Sequence, residues 1–351
     1  MRATEAPRGR GAAENPANRF ERLHLAVDPD APAPPPGQVP TEYFRDASRS
    51  VISRNDSPDI PFETSLNPYR GCEHGCIYCY ARPTHEYLGL SAGLDFETRL
   101  FVKEDAPALL RAELGQPGWM PQELVLSGVT DPYQPIERTL GITRQCLQVL
   151  AEVRNPVGIV TKSGLVARDI DVLAELATHA AVSVALSVTT LDEALRRTME
   201  PRAASADVRL DAVARLNDAG VPAGVMVAPI IPGLNDHEIP RILARAAEAG
   251  ARFASYTLLR LPHAVAPLFA GWLERHFPER KEKVLGRIRD VRDGKLNDPG
   301  FYSRMRGAGP LAELVSTVFR VARDRAGIPP SRPQLSAAAF RRPGEQMSLF
   351  G

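Results

Sequence analysis

Short apolar runs alternate with helical periodicities through the middle of the chain. E-L-V-L-S over Glu123–Ser127, V-G-I-V-T over Val157–Thr161, V-S-V-A-L-S over Val182–Ser187, A-G-V-M-V-A over Ala223–Ala228 and F-A-S-Y-T-L-L over Phe253–Leu259 each read as a buried strand. A weaker strand is expected at Ser65–Tyr69, where Pro68 interrupts the run. Between the strands lie amphipathic stretches such as R-D-I-D-V-L-A-E-L-A and R-L-D-A-V-A-R-L-N-D-A-G. The second stops at Gly220, the residue type that caps a helix C-terminus without strain. This alternation is the sequence form of repeated βαβ units. Six such units predict an α/β fold, an open, partial (β/α)6 barrel with its chemistry at the C-terminal strand ends.

The ends read differently. Residues 1–58 contain A-P-A-P-P-P-G-Q-V-P and lack apolar periodicity, so a disordered or extended Pro/Arg-rich arm is expected. The barrel is expected over 59–270, a smaller helical part over 271–328, and a flexible tail over 329–351. Net charge is only +1, but Arg275 to Glu345 carries sixteen Lys and Arg against eight Asp and Glu. Such a segment can face nucleic acid, or simply be a solvated helical surface. The sequence has no apolar run long enough to span a membrane and no signal core behind its N-terminus, so a cytoplasmic protein is expected. The four cysteines are not spread as a disulfide framework.

Three of them sit in one run, G-C-E-H-G-C-I-Y-C-Y, at Cys72, Cys76 and Cys79. Structural zinc wants four protein ligands, and electron-carrying clusters normally show four thiolates. Three thiolates without a local fourth suggest a cubane cluster with one iron open to a small molecule. The alternatives are zinc, with His74 or His85 as fourth ligand, or ordinary loop thiols. His74, between two candidate ligands, reads as a solvated loop residue. Cys146 falls in a helical pattern and reads as a buried small apolar residue. Polar residues recur where the other strands stop: S-G-V-T-D-P-Y-Q-P-I-E after the second, T-K-S after the third, L-S-V-T-T after the fourth. Converging on one barrel face, they predict a ligand site.

The C-x3-C-x2-C run with an aromatic residue before its last Cys resembles the signature of the radical S-adenosylmethionine (SAM) superfamily. Together with T-D-P-Y-Q-P-x-E, V-T-K-S and T-T-L-D-E, it resembles the spore-photoproduct-lyase-like branch, whose bacterial members are often labelled DNA repair photolyases. The resemblance covers roughly residues 60–265. It implies a 4Fe-4S cluster on Cys72, Cys76 and Cys79, with SAM chelated by the open iron. One-electron reduction would then cleave SAM to a 5′-deoxyadenosyl radical that takes hydrogen from a substrate. By the same resemblance Tyr78 would lie against the SAM adenine or ribose, Thr130 and Asp131 would face its amino end, Lys162 would pair with its carboxylate, and Ser187 would bond the ribose. A reductant protein is implied as electron source.

In spore photoproduct lyase a cysteine shortly before the acidic residue after the second strand returns hydrogen to the product radical; here Gly128 stands at that place. Tyr80, next to the last ligand, is the candidate catalytic hydrogen relay. The C-terminal Gln346, Met347, Ser348, Leu349 and Phe350 resemble the pentapeptide by which bacterial repair and replication proteins bind the DNA polymerase sliding clamp. The favoured substrate is nucleic acid, damaged DNA being the foremost case; radical modification of RNA or protein, and a non-catalytic zinc- or DNA-binding module, are the alternatives.

Overall fold

The computed structural model describes residues 6–20 and 39–344. Ten strands occur among them: β1 (Glu42–Arg45), β2 (Ile52–Arg54), β3 (Thr64–Leu66), β4 (Tyr69–Arg70), β5 (Arg99–Val102), β6 (Leu124–Leu126), β7 (Val157–Thr161), β8 (Val182–Ser187), β9 (Ala223–Ile230) and β10 (Ala254–Leu258). The main sheet runs β10-β9-β8-β7-β6-β3-β2. Its six inner-order strands from β3 to β10 are parallel, and only the edge strand β2 is antiparallel, pairing Ile52 with Leu66. The expected partial barrel is therefore present as an open, mostly parallel sheet.

All six residues of β8 are buried, as a parallel strand covered on both faces requires. The helix Ile239–Glu248 shows how the outer layer forms: Ile239, Ile242, Leu243 and Ala246 recur at helical spacing, and all four are buried. Pro68 has a definite effect. The run expected over Ser65–Tyr69 is split around it, so that β3 belongs to the main sheet and β4 to a second sheet of order β1-β5-β4. The Pro68 carbonyl accepts from Lys103 N at 3.0 Å, but its nitrogen has no hydrogen to continue the first ladder.

The described parts of the N-terminal arm are extended yet seated on the barrel. Arg10 and Ala12 are buried, and Val51 belongs to the main core. Beyond β10, the helices Val265–His276, Lys281–Asp290 and Pro310–Arg325 form the smaller helical part. Phe319 packs on Tyr256 with ring centroids 4.7 Å apart. The tail expected after 328 begins as a strap rather than a free end. Ser336 N donates to Ala180 O, Arg341 N donates to Val153 O, each at 2.9 Å, and Arg332 pairs with Glu123. These contacts lie at the N-terminal ends of β6–β8, the face away from the Cys loop. Among the described residues no helix is long and apolar enough to cross a membrane.

Candidate active site

The Cys loop leaves the small sheet after β4, at the C-terminal end of the first barrel strand. Two glycines shape it: Gly71 at φ 78° and Gly75 at φ 65°, both in the left-handed region. Gly75 is also tightly packed, since a Cβ there would lie 2.7 Å from Glu97 Oε2. Cys72 N donates to Phe96 O at 2.9 Å and Ile77 N to Met199 O at 3.0 Å, which fixes both halves of the loop. Beneath it, Arg82 donates to the carbonyls of Cys76 (3.0 Å) and Gly93 (2.9 Å) and forms a fully buried ion pair with Glu97. Glu97 also accepts from Gly11 N and Ala12 N at 2.9 Å. The N-terminal segment is thus part of the floor of the loop.

Cys72 and Cys76 are buried and Cys79 is partly so. Burial pushes all three thiols up, and for Cys72 the neighbouring Asp131, Cys76 and Cys79 add to the effect. Without a cation to compensate them, three thiolates here would be costly, so the donor set suits a positively charged inorganic centre. In a cubane each thiolate takes a different iron, whereas mononuclear zinc needs its ligands to converge on one point. The sequence places His74 in solvent, whereas it is 3% exposed and its Nδ1 lies 3.3 Å from Asp131 Oδ2. The reason is the glycine turn at Gly75, which folds the loop back over the strand ends. His85, the other zinc candidate, is buried against Phe96, with Nε2 2.9 Å from Arg99 O.

The remaining expected residues form a wall beside the loop. Asp131 accepts from Thr161 Oγ1 and Lys162 N, both at 2.7 Å, and from Tyr133 N at 2.9 Å. Burial opposes its charge, but His74 and these donors outweigh it and hold the carboxyl below its ordinary value. Thr130 spends its hydroxyl on Tyr69 O at 3.1 Å, so it shapes the strand end. Lys162 Nζ lies 3.2 Å from Glu200 Oε1 and 3.1 Å from both Thr189 Oγ1 and Ala228 O. Tyr78 also bonds Glu200 through its hydroxyl, and Lys162 Nζ stands 5.5 Å from its ring. Arg209, 1% exposed, pairs with the other Glu200 oxygen and donates to Ser187 O at 2.6 Å. Burial raises the Glu200 carboxyl, but Arg209 and Lys162 prevail and keep it charged, well below the carboxylate range. Burial and Glu200 raise Tyr78, which stays a protonated donor. Ser187, at the end of β8, is 6% exposed.

Tyr80 stands at the mouth, 49% exposed, its hydroxyl donating to Gly128 O at 2.5 Å. The Arg260 guanidinium lies 5.2 Å from its ring. Gly128 sits at φ 96°, after Ser127 at φ 135°. Cys146 is 0% exposed in the helix Ile142–Val153, inside the core and away from the other cysteines' loop. The structure thus gathers Cys72, Cys76, Cys79, Tyr78, Asp131 and Lys162 on one face. It adds Glu200, Thr189, Arg209, Glu97 and Arg82. Of these, Thr189 lay within the L-S-V-T-T run at a strand end; the partners of buried ion pairs have no local pattern.

The fold thus sets a loop of three thiols at the first strand end of an open parallel barrel, with a cationic and acidic wall at the following strand ends. The radical SAM superfamily model matches residues 66–246, and the chain belongs to that superfamily. An uncharacterised protein of Mycobacterium tuberculosis is 36% identical over 274 residues, 77% of this chain and 78% of the relative. A "Radical SAM Nalpha-GlyT isomerase" of a Pseudomonas phage is 25% identical over 242 residues, 68% of this chain and 48% of that protein. Among solved structures, spore photoproduct lyase complexed with dinucleoside spore photoproduct aligns with TM-score 0.57 at 16% identity, covering 81% of this chain and 79% of that one. That likeness is one of fold.

Proposed function

We propose that this protein is a radical SAM enzyme that acts on nucleic acid, damaged DNA being the foremost case. The observation that carries the chemistry is the buried three-thiol loop on the face shared with Lys162 and Glu200. Cys72, Cys76 and Cys79 would hold a 4Fe-4S cluster, and SAM would occupy the space between the loop and the wall. When bound and reduced, this pair supplies a 5′-deoxyadenosyl radical. The chain's own residues position and shield. Lys162 offers a cation to the SAM carboxylate, a charge-assisted contact, while Glu200 keeps the ammonium aimed. Tyr78 packs against the nucleoside part, held upright by Glu200. Asp131 orders the neighbouring strand ends and presents negative charge toward the SAM amino group. Ser187 would offer its hydroxyl to the ribose. Tyr80, hydrogen-bonded at the mouth, is the group through which a hydrogen atom could be relayed, since Gly128 removes the cysteine donor.

The substrate class draws on the solved lyase bound to a dinucleoside photoproduct. Gln346–Phe350 lie outside the described residues. The strap brings the chain to Gly344 on the face opposite the Cys loop, so a sliding clamp held there would leave the mouth accessible. A cytoplasmic location and a protein reductant belong to the same reading. The test is product analysis: anaerobic, reduced enzyme is incubated with SAM and ultraviolet-irradiated DNA, intact DNA, RNA or protein. Formation of 5′-deoxyadenosine that rises only with irradiated DNA, together with loss of a lesion, supports the reading. Turnover stimulated by RNA or protein alone redirects it to the corresponding modification.

A further inference from the structure

At the end of β10 a second feature borders the mouth. Arg292 is 1% exposed; it donates to Leu259 O at 2.7 Å and, from the other guanidinium arm, to Ser303 O at 2.7 Å. That one side chain fastens residues 300–306 to the C-terminal end of the last barrel strand. From the N-terminal side, Asp59 accepts from Tyr302 N at 3.0 Å and from Arg304 Nε at 2.7 Å. Within this clamp, Ser303 N donates to Phe301 O at 2.8 Å around Tyr302, which stands at φ 64° and ψ −53°. This is the rare, strained form of the γ-turn, and a bulky residue at positive φ persists only when its surroundings hold it there.

The strain does not serve the core. Phe301 is 53% and Tyr302 64% exposed. A chain of contacts leads from these rings into the site. Arg304 lies 4.9 Å from the Phe301 ring, Met305 Sδ is 3.7 Å from Arg260 Nη1, and Arg260 covers Tyr80, the residue after the last cysteine of the loop. Arg260 Nε is buried without a partner. The acidic groups at this rim are Asp59, taken by Arg304, and Asp298, which accepts from Gly300 N. Exposed rings beside guanidinium groups are the elements with which proteins stack unpaired bases while attracting phosphate.

We propose that Phe301 and Tyr302, with Arg260 beside Tyr80, form a stacking rim that holds an unstacked base of a nucleic-acid substrate at the entrance to the radical site. The proposal rests on the nucleic-acid reading above and assigns the surface that performs it. The test is fluorescence anisotropy of the full-length, cluster-loaded protein with labelled single-stranded DNA, single-stranded RNA, mismatched duplex and an abasic single strand. Phe301→Ala with Tyr302→Ala should weaken binding of the base-bearing, unpaired strands roughly tenfold or more and change the abasic strand little. Tyr302→Phe should retain most of the affinity. Tyr302→Gly, which suits the turn but lacks the ring, should behave like Tyr302→Ala. Uncoupled SAM cleavage by the double variant should match wild type, which verifies an intact barrel. If wild type binds none of the strands, the nucleic-acid reading falls and the rim with it. If wild type binds and the double variant binds equally well, the rim alone is overturned.

Discussion

The floor of the Cys loop and the rim of the mouth lie on the same face but are built in opposite ways. Under the loop, charges are sealed: Arg82 and Glu97 are both fully buried and meet each other, the carbonyls of Cys76 and Gly93, and the amides of Gly11 and Ala12. At the rim, large rings face solvent beside guanidinium groups. A buried polar network rigidifies what it supports, whereas exposed rings are open to a partner. The contrast teaches a division of labour. In the proposed function the floor would fix a resident group and the rim would receive something that comes and goes.

The largest effect should follow from breaking the floor's purpose. Cys72→Ala, Cys76→Ala or Cys79→Ala should each abolish an iron and sulfide content of about four each per chain, the stoichiometry of one cubane. Cys146→Ala, in the core helix, should leave that content intact. Iron and acid-labile sulfide analysis after anaerobic reconstitution measures both; loss of iron in Cys146→Ala would show that the ligand set is wrong. Next comes the wall. Glu200→Ala leaves Arg209 and Lys162 without their carboxylate in a buried place, which should cost about 3–5 kcal/mol in denaturant unfolding. Phe301→Ala at the rim should change stability by less than about 0.5 kcal/mol, because the ring is half exposed. Similar losses for the two would erase the distinction between wall and rim.

Lys162→Ala should weaken SAM binding by roughly tenfold or more, the magnitude of one hydrogen bond to a charged group, with iron content unchanged. Equilibrium binding on the cluster-loaded protein reads it, and an unaltered affinity removes Lys162 from the SAM site. The smallest effect is electrostatic. Desolvation depresses the His85 imidazole from 6.5 to about 4. The unfolded chain therefore takes up a proton near the ordinary value while the folded one does not. His85 contributes stability above pH 6.5, and this is lost progressively as pH falls toward 4. In His85→Phe, pH-dependent unfolding should be flatter across that window; an identical slope would remove His85 as its source.

Much of the scaffold was legible in the sequence for a simple reason. β7 and β8 occupy the very residues read from their apolar runs, because a strand buried on both faces must be continuously apolar. The Cys motif was legible because spacing and chemistry are both local. His74 was not. Its burial depends on the turn at Gly75 and on Asp131, nearly sixty residues away in the chain by its hydrogen-bonded strand end. β1 was missed because a short, exposed edge such as E-Y-F-R lacks a buried face to impose alternation. The strap over 332–341 was read as a flexible tail, since its anchors are backbone amides and Arg332 rather than apolar periodicity.

The central claim is that the loop holds a cubane with one iron open to SAM. Electron paramagnetic resonance of the reconstituted, reduced protein tests it most directly, recorded before and after adding SAM. A reduced-cluster signal that changes shape on SAM addition, and is absent from the Cys76→Ala variant, is the predicted result. A spectrum indifferent to SAM, or no cluster signal in an iron-loaded wild type, would contradict it.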